Sequence, residues 1–162
     1  MSSCSLQKRI EKADKKAEIG EYYTAAEMYK GIYSKINAKQ KRLKGEIAFK
    51  QAECYRHINN PKALQAYNAA LRMRYADRDS TCILRYAQVL HYQGKYRDAA
   101  KQYEAFLQRC PESYEGQAGL YACQQMDEWQ RQHSRYKIAP AKEFDAKRAS
   151  TFSPAFIGED AD

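Results

Sequence analysis

Between residues 80 and 111 the apolar positions fall into two stripes separated by one glycine. Ile83, Tyr86, Ala87 and Leu90 recur at intervals of three and four, which places them along one side of a helix. Gly94 follows and predicts a tight turn, because helices commonly end on a residue of positive φ, which glycine adopts at no steric cost. Tyr96, Ala99, Ala100, Tyr103, Phe106 and Leu107 form the stripe of a second helix, and Pro111 ends the pair. Ala87 and Ala99 are small enough to let two antiparallel helices approach closely. Tyr96 and Tyr103 are large and fill the groove beside them.

The same order recurs upstream. Gly20, Tyr22, Ala25, Tyr29 and Ile32 match the turn and second helix of an earlier unit. Its first helix, from about residue 5 to 19, is a poor match, with Lys12 and Lys16 within the stripe, as expected of a terminal unit with a polar outer face. In the middle, Ala48, Ala52 and Tyr55 mark a first helix, and Ala63, Tyr67 and Ala70 a second. Asn60 is expected as the N-cap of that second helix, with Pro61 in its first turn. The turn of this unit is one residue short and carries Asn59 and Asn60 in place of glycine. After Pro111, Tyr114, Gln117, Leu120, Tyr121 and Gln124 outline one more helix with no full partner, read as the cover of the last unit.

This small–large–proline order resembles the tetratricopeptide repeat. The resemblance implies an all-α fold: a right-handed superhelix of three repeats plus a C-terminal capping helix, over residues 5–126. It also implies a protein-binding scaffold with no cofactor. In such stacks the first helices line the concave surface. The helix stripes turned away from their own partner helices therefore assign Phe49, Glu53, Arg56, His57, Leu84, Gln88, His91, Tyr92, Ala118 and Gln125 to a binding groove. Aromatic, Arg and amide groups of this kind suit a protein or peptide segment.

Composition agrees with the pattern. Val occurs once, at Val89, far below what a sheet protein uses, and 7 Gly with 4 Pro leave few turns between long helices. No run of 18 apolar residues exists to span a bilayer, and no apolar leader follows Met1. The net charge of +8 draws on a run from Lys35 through Lys39, Lys41, Arg42 and Lys44 to Lys50. A basic helical repeat could meet nucleic acid, but this run carries only Ile36, Leu43, Ile47 and Phe49 as large apolar residues, with a single aromatic among them, so no nucleic-acid partner is expected. The five Cys lack metal-site spacing, and Cys54, Cys82 and Cys123 fall in apolar stripes as small buried side chains. No phosphate loop or nucleophile motif is present, and no enzyme is expected. His57 and His91 recur near the ends of two first helices, where both are expected on the binding surface.

Beyond residue 126 the character changes. Residues 127–150 read as a C-terminal helical extension anchored by Trp129 and Tyr136 and broken at Pro140. Residues 151–162 read as a linker or a strand entering a hairpin, because Phe152, Pro154 and Phe156 precede a Gly-acidic turn. The Ser-Pro-aromatic run resembles the opening of a propeller blade, which implies the first strand of a following β-propeller domain. Segments 13–30, 46–56, 119–125 and 151–156 together resemble the N-terminal part of OmpA-family lipoproteins. In that family a tetratricopeptide domain precedes a β-propeller and a peptidoglycan-binding domain. The resemblance implies that residues 1–4 are the remnant of a lipobox, with Cys4 as the lipidated residue. It further implies the periplasmic face of the outer membrane, membrane contact through the lipid anchor alone, and peptidoglycan contact through a domain outside this chain. The implied partners are secretion-system or envelope components. A structural spacer between anchor and peptidoglycan would need no groove ligand at all.

Overall fold

A computed structural model of the chain describes residues 3–132. Seven helices follow one another: α1 (Ser3–Glu18), α2 (Tyr22–Lys35), α3 (Lys41–His57), α4 (Ala63–Arg72), α5 (Thr81–Tyr92), α6 (Tyr96–Leu107) and α7 (Tyr114–Arg131), with a 3-10 turn at Tyr75–Asp77. Each helix packs against its neighbours in the chain. The pairs α1–α2, α3–α4 and α5–α6 are three stacked repeats, and α7 covers the last. No strand occurs among the described residues, and none of their helices is long and apolar enough to cross a membrane.

Alanine sets the distance between paired helices. Ala13, Ala52 and Ala87 occupy one register on the first helices and are fully buried. Ala25, Ala63 and Ala99 answer them on the second helices, at 0%, 1% and 0% exposure. Beside each pair stands a large ring, Tyr29, Tyr67 or Tyr103, also buried. The core is two layers of such side chains, and Leu71 and Tyr86 pack against both. Cys54, Cys82 and Cys123 are buried within these layers, and burial pushes their thiols up to about 11, 12 and 11. Thiols held that high are chemically quiet filling.

The same backbone device turns all three repeats. Gly20 (φ 82), Asn59 (φ 50) and Gly94 (φ 73) are left-handed. Behind each, two amides reach back to the helix end: Gly20 to Ala17 and Glu21 to Lys16, Asn59 to Arg56 and Asn60 to Tyr55, Gly94 to His91 and Lys95 to Leu90. Asn59 therefore takes the glycine role, which asparagine tolerates better than most residues with a side chain. The second helix of this repeat starts later than the sequence suggests. Asn60 does not cap it directly: its Oδ1 accepts from the Lys62 amide at 3.0 Å, and Pro61 and Lys62 form a lead-in turn before α4 begins at Ala63. The one-residue deficit is absorbed there, which leaves α4 with 10 residues.

Two features lie outside the repeat pattern. Arg74 is left-handed (φ 60) and leads into the 3-10 turn, whose Tyr75 ring stacks on Phe49 at 4.7 Å. Gly45 permits this approach, since a Cβ there would stand 3.1 Å from that of Met73. At the other end, α7 lies close on α6 through Gly116 and Gly119. A Cβ on Gly119 would come within 2.3 Å of the Tyr103 ring. The capping helix continues to Arg131, beyond the boundary expected at residue 126. The remainder of the 127–150 extension and all of 151–162 lie outside the described residues.

Tyr103→Ala, which empties the space between α6 and α7, is expected to cost on the order of 3–5 kcal/mol in denaturant unfolding. Lys41→Ala, on an exposed site, should change stability by less than about 0.5 kcal/mol. Gly119→Ala forces a methyl into the Tyr103 ring and should cost roughly 1–3 kcal/mol, far more than the helix-propensity gain of alanine would return.

Candidate functional site

The inner row of the first helices is built from positions fixed by their distance to the turn. Asp14, Glu53 and Gln88 each stand six residues before the left-handed residue of their repeat. Asp14 and Glu53 receive hydrogen bonds from the buried hydroxyls of Tyr29 and Tyr67. Cations close the other side. Lys50 Nζ lies 2.9 Å from Asp14, and Arg56 grips Glu53 through Nη2 at 2.8 Å and Nε at 3.3 Å. In the third repeat Arg85 donates to the Gln88 side-chain oxygen at 3.0 Å, so a neutral amide stands where the other repeats hold a carboxylate.

These contacts shift the titration of Glu53 and of the two phenols. Burial alone would raise the Glu53 carboxyl, but hydrogen bonds from Arg56 and Tyr67 outweigh it and hold the group below the ordinary carboxylate value. Burial, then the Glu53 carboxylate, push the Tyr67 phenol upward. Burial and the bond to Asp14 do the same to Tyr29. The row therefore presents carboxylates already engaged by phenols and cations.

Two cavities open along it. One, of about 380 Å³, lies between the first and second repeats, with Asp14, Glu18 and Tyr22 on one wall and Phe49, Glu53 and His57 on the other. The second, of about 230 Å³, lies between the second and third repeats. Arg56, Asn59, Asn60 and Ala63 form its near wall, and Gln88, Val89, Tyr92 and Gln93 its far wall. Tyr92 is 76% exposed at its rim.

Of the residues assigned to a groove, Phe49, Glu53 and His57 meet in the first cavity, and Arg56, Gln88 and Tyr92 in the second. Four stand elsewhere. Leu84 shares the register of Phe49 but is only 5% exposed and belongs to the core layer that contains Ala76, so it offers no groove surface. His91 is turned edge-on to Tyr96 (5.5 Å) and Tyr103 (6.2 Å), against the second helix of its own repeat. Ala118 and Gln125 sit on α7 and line neither cavity. The two histidines are not brought together: His57 instead stacks on Tyr22 with centroids 4.5 Å apart and planes 8° from parallel. Among the described residues, no group of three His, Cys, Asp or Glu is placed to hold a metal ion. The side chain of Cys4 lies outside the described residues.

Several lining residues were not singled out from the sequence. Asp14 and Glu18 belong to the first repeat, whose lysine-rich helix masks its inner row, yet their spacing to Gly20 marks them. Asn59, Asn60 and Gln93 are turn residues, and they line a cavity only because the next repeat stacks beside them. The basic run divides in the same way. Lys44 folds back over the Tyr33 ring (4.8 Å) and donates to the Ile36 carbonyl, Lys50 joins the groove, and Lys35, Lys39, Lys41 and Arg42 remain exposed.

Glu53 gives a pH test with a defined sign. Its folded pKa lies below the unfolded one, so its contribution is present above the unfolded value and is lost as pH falls through the folded value. Denaturant midpoints measured from pH 7 down to about pH 3 should fall less steeply for Glu53→Gln than for the unsubstituted chain. A parallel fall would mean that the carboxylate carries none of the acid sensitivity.

No family model and no curated protein matches the chain. Among solved structures it is similar to the first TPR of Spaghetti (RPAP3), determined bound to the HSP90 peptide SRMEEVD, with 19% sequence identity and a TM-score of 0.64. That likeness covers 79% of this chain and 97% of the other. Together with the alanine–tyrosine register and the three left-handed turns, it establishes the fold as a helical superhelix of the tetratricopeptide type.

Proposed function

We propose that this chain is a protein-interaction scaffold whose inner row takes an extended segment of a partner protein. The observation that carries this reading is the pair of adjacent cavities along the first helices, about 380 and 230 Å³, each formed where two repeats meet. Their walls combine aromatic area from Tyr22, Phe49 and Tyr92 with the amides of Asn59, Asn60, Gln88 and Gln93. Amide side chains offer donors and acceptors at once, which is what a peptide backbone demands. Arg56 stands between the cavities with its guanidinium on Glu53, ready to give charge-assisted bonds at its remaining donors. The similar structure with its bound peptide supports the choice of a peptide over a small molecule.

The setting of the scaffold rests on the resemblance to OmpA-family lipoproteins, and within them to PorE of the type IX secretion system. On that reading the chain is the N-terminal domain of an outer-membrane lipoprotein at the periplasmic face, anchored through Cys4. Its partners are other secretion or envelope components, and its link to peptidoglycan runs through a later domain.

Peptides selected on the chain from a displayed random library should bind in the micromolar range. The double substitution Arg56→Ala with Tyr92→Ala should weaken them by at least about tenfold, since aromatic and Arg anchors carry most interface energy. Circular dichroism should be unchanged, because neither side chain is in the core. Binding that survives the double substitution would place the peptide elsewhere.

A further inference from the structure

We propose that the outer face of α7 is a self-pairing surface, on which two copies of this chain meet with their seventh helices antiparallel. Tyr114, Ala118, Tyr121, Gln125 and Trp129 recur at three, four and seven along the helix and share one side of it. The opposite side carries Gly116, Gly119 and Cys123, which face α6. The outer stripe is therefore turned away from the stack, and its three rings are 82%, 64% and 61% exposed.

The register explains why, among the described residues, no helix packs on this face as α4 and α6 pack on α3 and α5. Cys123 and Cys54 are equivalent buried positions, and two residues before Cys54 stands Ala52, the alanine against which a second helix packs. Two residues before Cys123 stands Tyr121, 64% exposed. A ring there holds off any helix that would approach as α4 and α6 approach α3 and α5.

The stripe is instead complementary to itself. About a midpoint between Tyr121 and Ala122, Tyr114 and Trp129 are equally distant, and so are Ala118 and Gln125. A two-fold axis at that midpoint sets Trp129 of one copy on Tyr114 of the other, Gln125 against Ala118, and the two Tyr121 rings side by side. Large residues then meet large at the ends and centre, with a small–polar pair between. Three rings of this exposure present roughly 400 Å² per copy, by the usual size of aromatic side chains. With Gln117 and Gln124 at the margins, the pair reaches the lower end of specific interfaces, about 1,200 Å² in all. The dimer is weak and leaves the inner row of each copy open.

Sedimentation of the full chain from about 5 to 200 μM, the range in which interfaces of this size assemble, should show a monomer–dimer equilibrium. Tyr121→Glu should move its midpoint to at least about tenfold higher concentration, with the melting profile of the monomer unchanged. Tyr121→Cys should form a disulfide-linked dimer under mild oxidation, in excess of the unsubstituted chain. Lys101→Cys, exposed on α6, should not. A chain that stays monomeric throughout the range overturns the proposal. So does a dimer indifferent to Tyr121→Glu, or cross-linking at Lys101→Cys equal to that at Tyr121→Cys.

Discussion

The constraint on which this molecule depends is the burial of small alanines, in one register, between paired helices. Six fully or almost fully buried alanines, two per repeat, bring each pair close enough that the space beside them must be filled by a single large ring. Tyrosine fills it three times, and tyrosine brings a hydroxyl into a dry interior. A buried hydroxyl needs a partner. In the first two repeats that partner is a carboxylate on the inner row, Asp14 for Tyr29 and Glu53 for Tyr67. The packing solution of the core thus dictates part of the chemistry of the groove. Phenylalanine at those two positions would fill the same space but would leave Asp14 to Lys50 and Glu53 to Arg56 alone.

That coupling decides what the groove can select. Asp14 and Glu53 each hold a phenol and a cation, so the charges of the inner row are largely matched among themselves. The net charge of +8 is consequently not a property of the groove. The exposed members of the basic run are Lys35, Lys39, Lys41 and Arg42, around the start of the second repeat. A ligand of the inner row is chosen by shape, by amide hydrogen bonding and by contact with Tyr22, Phe49 and Tyr92, with ionic strength a secondary influence. A polyanion would find its charge partners outside the cavities.

The repeat itself was legible in the sequence because its signals are local. Three- and four-residue spacing of alanine and tyrosine, and two glycines between stripes, specify helices and turns without reference to the rest of the chain. Asn59 shows the limit. Its left-handed backbone is enforced by the two amides that reach back to Arg56 and Tyr55, a device whose usual sign, glycine, is missing there. The groove was legible only in part, because lining a cavity depends on what stacks beside a residue. Phe49 and Leu84 share one register, yet Phe49 reaches a cavity and Leu84 is closed within the core layer that includes Ala76 of the 3-10 turn. Nothing in the periodicity announces that turn. His91 likewise sits on the expected helix end but packs against Tyr96 and Tyr103 of its own second helix.

A stack of this kind must also stop, and how it stops is a separate physical problem. Each first helix has one face for the preceding repeat and one for its own partner, so a terminal helix always leaves the second face unused. A polar face would end the stack without consequence. Among the described residues α7 is the last helix, and it carries Tyr121 where the other first helices have the alanine of the contact register, with Tyr114 and Trp129 on the same side. Those rings oppose a second helix that would pack on α7 as α4 and α6 pack on α3 and α5, and within residues 3–132 they form an apolar stripe on the outer side of the helix. A partner for such a stripe has to match rings at both ends and at the centre. The near-symmetry of the stripe about its own centre makes a second copy of the same helix the surface that fits it. The inner row, on first helices further back in the stack, is untouched by that pairing, so a dimer would present two separate grooves to its partners.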